Sequence, residues 1–125
     1  MKLKIILLFL MMSIIGYGQK KQFAKHYTEV ITTQKGVDKN FFSENIIFFN
    51  YENKPVIKIY TSDQSVNFYD KISEEELGTL EGKSYVSALY KERKDSTKVL
   101  VQLFDDDSIG CRLIYLNGDM VRFIP

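Results

Sequence analysis

From Asn45 onward, apolar and polar positions alternate with a period of two, the mark of strands that send successive side chains to opposite faces. Ile46 to Tyr51 reads as a strand and Glu52-Asn53-Lys54 as a turn. Pro55 cannot donate to a ladder and suits the start of the next strand, Val56 to Thr61. Ser62-Asp63-Gln64 turns the chain, and Ser65 to Ile72 returns with Val66, Phe68 and Ile72 on one face. Ser73-Glu74-Glu75-Glu76 reads as a capped helical turn, kept short by Gly78 and Gly82, so that Ser73 to Lys83 is a connection. Strands follow at Tyr85 to Arg93 and Lys98 to Phe104, separated by turns at Lys94 to Thr97 and Asp105 to Ser108.

The pattern is strongest in the last part of the chain, Val99 to Ile124, centred on Leu116-Asn117-Gly118-Asp119. Asn-Gly between alternating apolar runs signals a hairpin, because both central residues of a type I′ turn need φ > 0. A two-residue turn sets Leu116 against Asp119, Ile114 against Val121, Leu113 against Arg122, Arg112 against Phe123 and Cys111 against Ile124. One face then carries Cys111, Leu113, Tyr115, Met120, Arg122 and Ile124, and the other Arg112, Ile114, Leu116, Asp119, Val121 and Phe123. Both faces are apolar with one arginine each, so something has to cover the second.

Gln19 to Lys39 is ambiguous. Phe23, Tyr27, Val30 and Ile31 fit helical spacing, but Tyr27 to Thr33 is rich in β-branched residues and is taken as a strand. Gly36 to Glu44 reads as loop. The sum is an all-β chain, a single antiparallel meander of seven to eight strands joined by short turns. Such a meander closes as a small barrel or folds over as a sandwich.

Met1 to Gly18 has the form of a secretory signal peptide: Lys2 and Lys4, an apolar run from Ile5 to Ile15 broken only by Ser13, then Gly16-Tyr17-Gly18 before Gln19. The run is too short for a bilayer span of about 20 residues. The expected mature chain, 19–125, is one antiparallel β domain, exported to the periplasm or exterior, without a transmembrane anchor. Without Lys2 and Lys4, the 17 basic residues of the whole chain fall just below its 16 acids. A near-neutral chain with mixed charge runs gives no electrostatic reason to expect nucleic acid. The single cysteine, Cys111, excludes an intrachain disulfide and reads as a small buried filler.

Candidate chemistry is sparse. His26 is the sole histidine, so neither a catalytic triad nor a histidine-rich metal site can be assembled, and Cys–His catalysis would need Cys111 to meet His26 across the fold. Asp105-Asp106-Asp107-Ser108-Ile109-Gly110 begins like a calcium loop but fails at its fifth position, Ile109, and its twelfth, Leu116, and reads as a turn. Glu74 to Glu76 reads as a solvated acidic turn rather than a glycosidase acid and base. Tyrosines are more informative, since they suit places where one end of a side chain is apolar and the other wet. Tyr60, Tyr90 and Tyr115, with Arg112 and Arg122 as an anion clamp in a cavity, are the candidate ligand- or partner-binding residues. No cofactor or metal is expected.

Lys2 to Gln19, Ile47-Phe48-Phe49-Asn50, Ile57-Lys58-Ile59-Tyr60 and Gln102-Leu103-Phe104-Asp105-Asp106 through Cys111-Arg112-Leu113-Ile114-Tyr115 together carry a resemblance. The chain resembles the small, signal-peptide-bearing β-rich proteins numerous in Bacteroidetes, the flavobacteria especially. The resemblance spans most of the chain on motifs of low specificity. It implies export and a compact β fold, and it carries over no catalytic or binding residues.

The functional expectation is a non-enzymatic binding module for a small apolar or amphipathic ligand, in keeping with where small barrels hold ligands. The alternative is a protein-interaction protein, an inhibitor, immunity-type partner or envelope-assembly component, whose partner covers the second apolar face. An enzyme is the third reading, weakened because no nucleophile, base and orienting group can be assembled.

Overall fold

The computed structural model describes residues 20–125; the expected leader, Met1 to Gly18, lies outside the described residues. The strands are β1 (Phe23–Gln34), β2 (Val37–Phe49), β3 (Val56–Thr61), β4 (Val66–Lys71), β5 (Glu76–Leu80), β6 (Lys83–Glu92), β7 (Lys98–Phe104), β8 (Cys111–Tyr115) and β9 (Met120–Ile124). Every pairing is antiparallel, and the order β4-β3-β2-β1-β9-β8-β7-β6-β5 is closed by a further β4–β6 pairing. Eight strands thus form a closed barrel, not a sandwich. β5 is the extra strand: it pairs Lys83 to Ser87 of β6, and β4 takes Tyr90 to Glu92 farther along the same edge. Among the described residues no helix is long and apolar enough to cross a membrane.

The alternation in the sequence fills the barrel. Tyr27, Ile47, Ile57, Ile59, Tyr69, Ala88, Tyr90, Val99, Val101, Cys111, Leu113 and Phe123 face one another inside as a single buried cluster. An eight-stranded barrel is just wide enough to be packed by its own side chains or to hold one small ligand. Fully burying each Val, Leu, Ile or Phe side chain contributes about 1.5–3 kcal/mol.

Four expectations need correction. The last hairpin exists, but its turn has three residues, with the Tyr115 N–H donating to the Asp119 carbonyl at 2.9 Å and the Gly118 N–H to the Tyr115 carbonyl at 3.0 Å. Gly118 alone in this turn has positive φ, at 91°, as in a type I turn followed by a left-handed glycine. The register therefore moves by one: Cys111 opposes Phe123, Arg112 opposes Arg122, Leu113 opposes Val121 and Ile114 opposes Met120. Such a shift exchanges faces wholesale. The inner row is Cys111, Leu113, Tyr115, Val121 and Phe123, and the half-buried outer row carries both arginines with Ile114, Met120 and Ile124, so the two arginines share one face instead of dividing between two.

Of the expected loop Gly36 to Glu44 only Gly36 is turn; Val37 to Glu44 is the first part of β2. It has no buried face: Val37, Phe41 and Phe42 are exposed, so no alternation marks it. Ser73 to Lys83 is not a bare connection, since it contains β5. The residues Ser73 to Glu76 form no helical turn; the Ser73 hydroxyl instead accepts the Leu89 N–H at 2.8 Å, tying this link to β6. Finally, the strand in the ambiguous N-terminal region is longer than Tyr27 to Thr33 and forms a hairpin with β2 along its whole length. Between Tyr27 and Glu29 the register slips, β2 advancing from Asn45 to Phe42 while β1 advances two residues. Asn45, 2% exposed, holds this bulge by donating its amide to the Ser43 carbonyl (3.0 Å) and hydroxyl (2.9 Å).

Candidate functional site

The barrel is not filled to both ends. At the end where β1 begins and β2 finishes, a cavity of ≈ 150 Å³ lies between Ile57, Val86, Ala88, Tyr90, Val101 and Leu103. Each of these is an inward position on its strand, and small Ala88 leaves room that a larger side chain would take. The mouth is edged by Phe23 and Phe49, directly paired across β1 and β2, with ring centroids 4.9 Å apart and planes 16° from parallel. Phe23 is 41% exposed, so part of this lid faces solvent.

Charge is confined to the rim. Lys71 opposes Tyr90 across the β4–β6 pairing, and its ammonium lies 5.9 Å from the Tyr90 ring centroid. It pairs with Glu75, which also pairs with Lys20. Burial pushes the Glu75 carboxyl up, but the hydrogen bonds from Lys20 and Lys71 outweigh it and hold the group below its ordinary value. Two ammonium groups thus share one carboxylate beside an apolar cavity. Nearby, Lys25 pairs with Asp107 at 3.1 Å.

Deeper in the barrel are two polar groups that solvent does not reach. Cys111 is fully buried, and burial pushes its thiol up to about 12. The Tyr27 hydroxyl has no hydrogen-bond partner among the described residues; burial foremost, then Cys111 and Asp107, raises its phenol. At the opposite end Tyr69, Tyr115 and Glu92 cluster, and burial first of all holds all three above their ordinary ranges.

The sequence-predicted site residues do not converge. Tyr90 lines the cavity. Tyr115 faces the interior at the other end. Tyr60 is exposed on the outer wall, 5.9 Å from the Lys58 ammonium, which also sits over the Tyr51 ring at 4.7 Å. Arg112 and Arg122 are brought side by side, but outside the barrel rather than as a clamp within a cavity. Cys111 is buried inside the barrel while His26 is exposed, so the two do not meet. In the Asp105 to Gly110 turn, Asp106 accepts the Ser108 N–H (2.9 Å) and pairs with Lys83 (2.9 Å), whereas Asp107 reaches Lys25. Lys71 was missed, although it shares the parity of the inward Tyr69; Glu75, read from sequence as part of a solvated acidic turn, instead lines the cavity and pairs with Lys20 and Lys71.

No protein-family model, curated protein or solved structure matches this chain.

Proposed function

We propose that this chain is an exported, non-enzymatic binding protein that takes a small apolar or amphipathic ligand into the open end of its barrel. The observation that carries this reading is the apolar cavity beneath Phe23 and Phe49, with Glu75 in its lining and the ammonium groups of Lys20 and Lys71 paired to that carboxylate. Its ≈ 150 Å³ is on the scale of a cavity that takes one benzene ring. It suits a ring or the tip of an alkyl chain, with the rest of the ligand passing out between the two phenylalanines. Two lysines against one glutamate favour an anionic head over a cationic one.

Titrating octanoate, octanol and octylamine into the protein and following backbone amide NMR signals tests this. Octanoate is expected to bind with Kd on the order of 0.1–1 mM, octanol more weakly and octylamine weakest, with shifts focused on Ala88, Val101 and Leu103. Ala88→Leu narrows the cavity and should weaken all three, whereas Lys71→Met should erase the preference for octanoate alone. Absence of saturable shifts with every probe would defeat the reading.

A second reading, an interaction protein, draws on the far end of the first hairpin. β3 pairs only Asn45 to Phe48 of β2, so the outer edge of residues 37–44 has no strand beside it among the described residues, and Phe42 there is 84% exposed. An open edge with exposed aromatics is a ready partner for another strand. Concentration-dependent sedimentation, abolished by Phe42→Lys, would favour it.

A further inference from the structure

We infer that Arg112 and Arg122, directly opposed on the outer wall of the barrel, form a binding site for a phosphate-type oxyanion. The inference is independent of the cavity, which lies on the other side of the sheet.

The first observation is the register. Arg112 of β8 faces Arg122 of β9 as a cross-strand pair. Directly opposed residues have Cα atoms about 4.5–5.5 Å apart, and like charges so placed repel. An arginine cannot escape by losing its proton at any ordinary pH. The counter-charge has to come from neighbours or from a ligand.

The neighbours supply too little. On the face of Arg112, Gln102 lies directly across on β7, Leu100 and Phe104 diagonally, and Ile114 along the strand. None is acidic, and Arg112 makes no ion pair among the described residues. Its guanidinium instead lies over Phe104, 5.0 Å from the ring centroid, a packing that fixes its plane and leaves its edge donors unused. Arg122 has one acid, Asp38 at 3.1 Å, and a further contact to the Thr33 hydroxyl at 3.4 Å. Glu29, diagonal to Arg122 across β1, accepts from Asn40. The pair therefore has one carboxylate in contact, Asp38, and it touches Arg122 alone.

The second observation is hydrogen bonding. The Nε atoms of both arginines are buried without a partner among the described residues. The two desolvated donors sit in adjacent side chains, so that one acceptor reached by both forks would satisfy the pair together. A phosphate group, with more acceptor oxygens and more negative charge than a carboxylate, is the better match for two forks at once. The bed of Leu100, Phe104 and Ile114 lowers the local dielectric and strengthens the attraction.

The test is the arginine side-chain Nε–H NMR signals of the protein, titrated with inorganic phosphate at ionic strength held constant with chloride. Saturable movement of the Arg112 and Arg122 signals, with a rise in Tm, is expected. Arg112→Gln should abolish both responses while keeping the backbone spectrum, and should itself raise Tm without phosphate by relieving the repulsion. Shifts that never saturate, or that chloride reproduces, would mean an adventitious ion only and overturn the site. So would a response surviving in Arg112→Gln, or acetate binding as tightly as phosphate. Vesicles of phosphatidylcholine with and without phosphatidic acid separate the sources: binding only to the former assigns a lipid headgroup, and binding of free phosphate alone a soluble ligand.

Discussion

The first and last hairpins lie side by side in the barrel wall, joined by the β1–β9 pairing, and their tips touch where the Lys35 N–H donates to Asp119 at 3.4 Å. They turn differently. Gln34 opposes Val37 across Lys35 and Gly36, whose φ values are 51° and 78°, a two-residue turn with both central residues left-handed. Glu81 and Gly82 repeat this at 50° and 79° between the paired Leu80 and Lys83. Asn117-Gly118, whose residues best advertise that turn, uses the three-residue form. Glycine at the last loop position is what the three turns share; the residue before it does not decide the type.

The bases of the two hairpins are held differently as well, and this difference is the easiest to break. The last hairpin depends on Gly110, which enters β8 with φ of 76° and packs so closely that an added Cβ would sit 2.0 Å from the Phe123 carbonyl oxygen. Gly110→Ala meets both backbone strain and a backbone clash. It is expected to destabilise by more than about 4 kcal/mol, read as loss of the cooperative urea transition. The first hairpin depends on a hydrogen bond instead. Asn45→Ala removes the amide that satisfies the Ser43 carbonyl in the bulge and should cost about 1–3 kcal/mol, measured by the same transition, with an intact fold. Equal effects of the two substitutions would erase the distinction.

That contrast also explains what could be read from the residues. Strands with one buried face were legible: Val56 to Thr61 and Lys98 to Phe104 were placed with their observed limits, because alternation records an inside and an outside. Val37 to Glu44 has two wet faces and left no such record, and Glu76 to Leu80 is equally exposed. The register of β8 against β9 was illegible for another reason. Alternation is satisfied by either parity until turn length is known, and Asn117-Gly118 is compatible with both lengths. Of the cavity, Tyr90 was within reach; its neighbours depend on strand order, which short turns constrain but closure completes.

The interior of the last hairpin provides a pH-dependent comparison. The Cys111 thiol is raised from 9.0 to about 12 by burial, so the folded chain retains a proton that the unfolded chain releases. Its contribution is whole below pH 9 and is lost as pH rises from 9 toward 12, at about 1.4 kcal/mol per pH unit. The buried phenols of Tyr27 and Tyr90 are raised by burial too and steepen the loss at higher pH. Equilibrium urea unfolding should show stability falling above pH 9, and Cys111→Ala, although less stable at neutral pH, should flatten the early part of that fall. An unchanged slope in the variant would place the alkaline loss elsewhere. Asn45, which does not titrate, predicts that its alanine variant keeps the parent slope.

The smallest effect separates the turns themselves. Lys35 holds φ of 51° without the local side-chain hydrogen bonding that makes asparagine tolerant of this region. Lys35→Asn should therefore stabilise by roughly 0.3–1 kcal/mol, seen as a higher urea midpoint with an unchanged slope. The backbone bond from residue 35 to Asp119 survives, because it uses the N–H rather than the side chain. Asn117 works differently: its Oδ1 accepts the Asp119 N–H at 2.9 Å and its amide donates to the Asp119 carboxylate at 3.1 Å. Asn117→Lys gives up both bonds at a position that needs no left-handed residue, and should destabilise by about 0.5–1.5 kcal/mol. The two exchanges are mirror images in chemistry and opposite in sign. If both raised or both lowered the midpoint, the same turn geometry would have to serve both hairpins, and the outward placement of Arg112 and Arg122 would lose its basis.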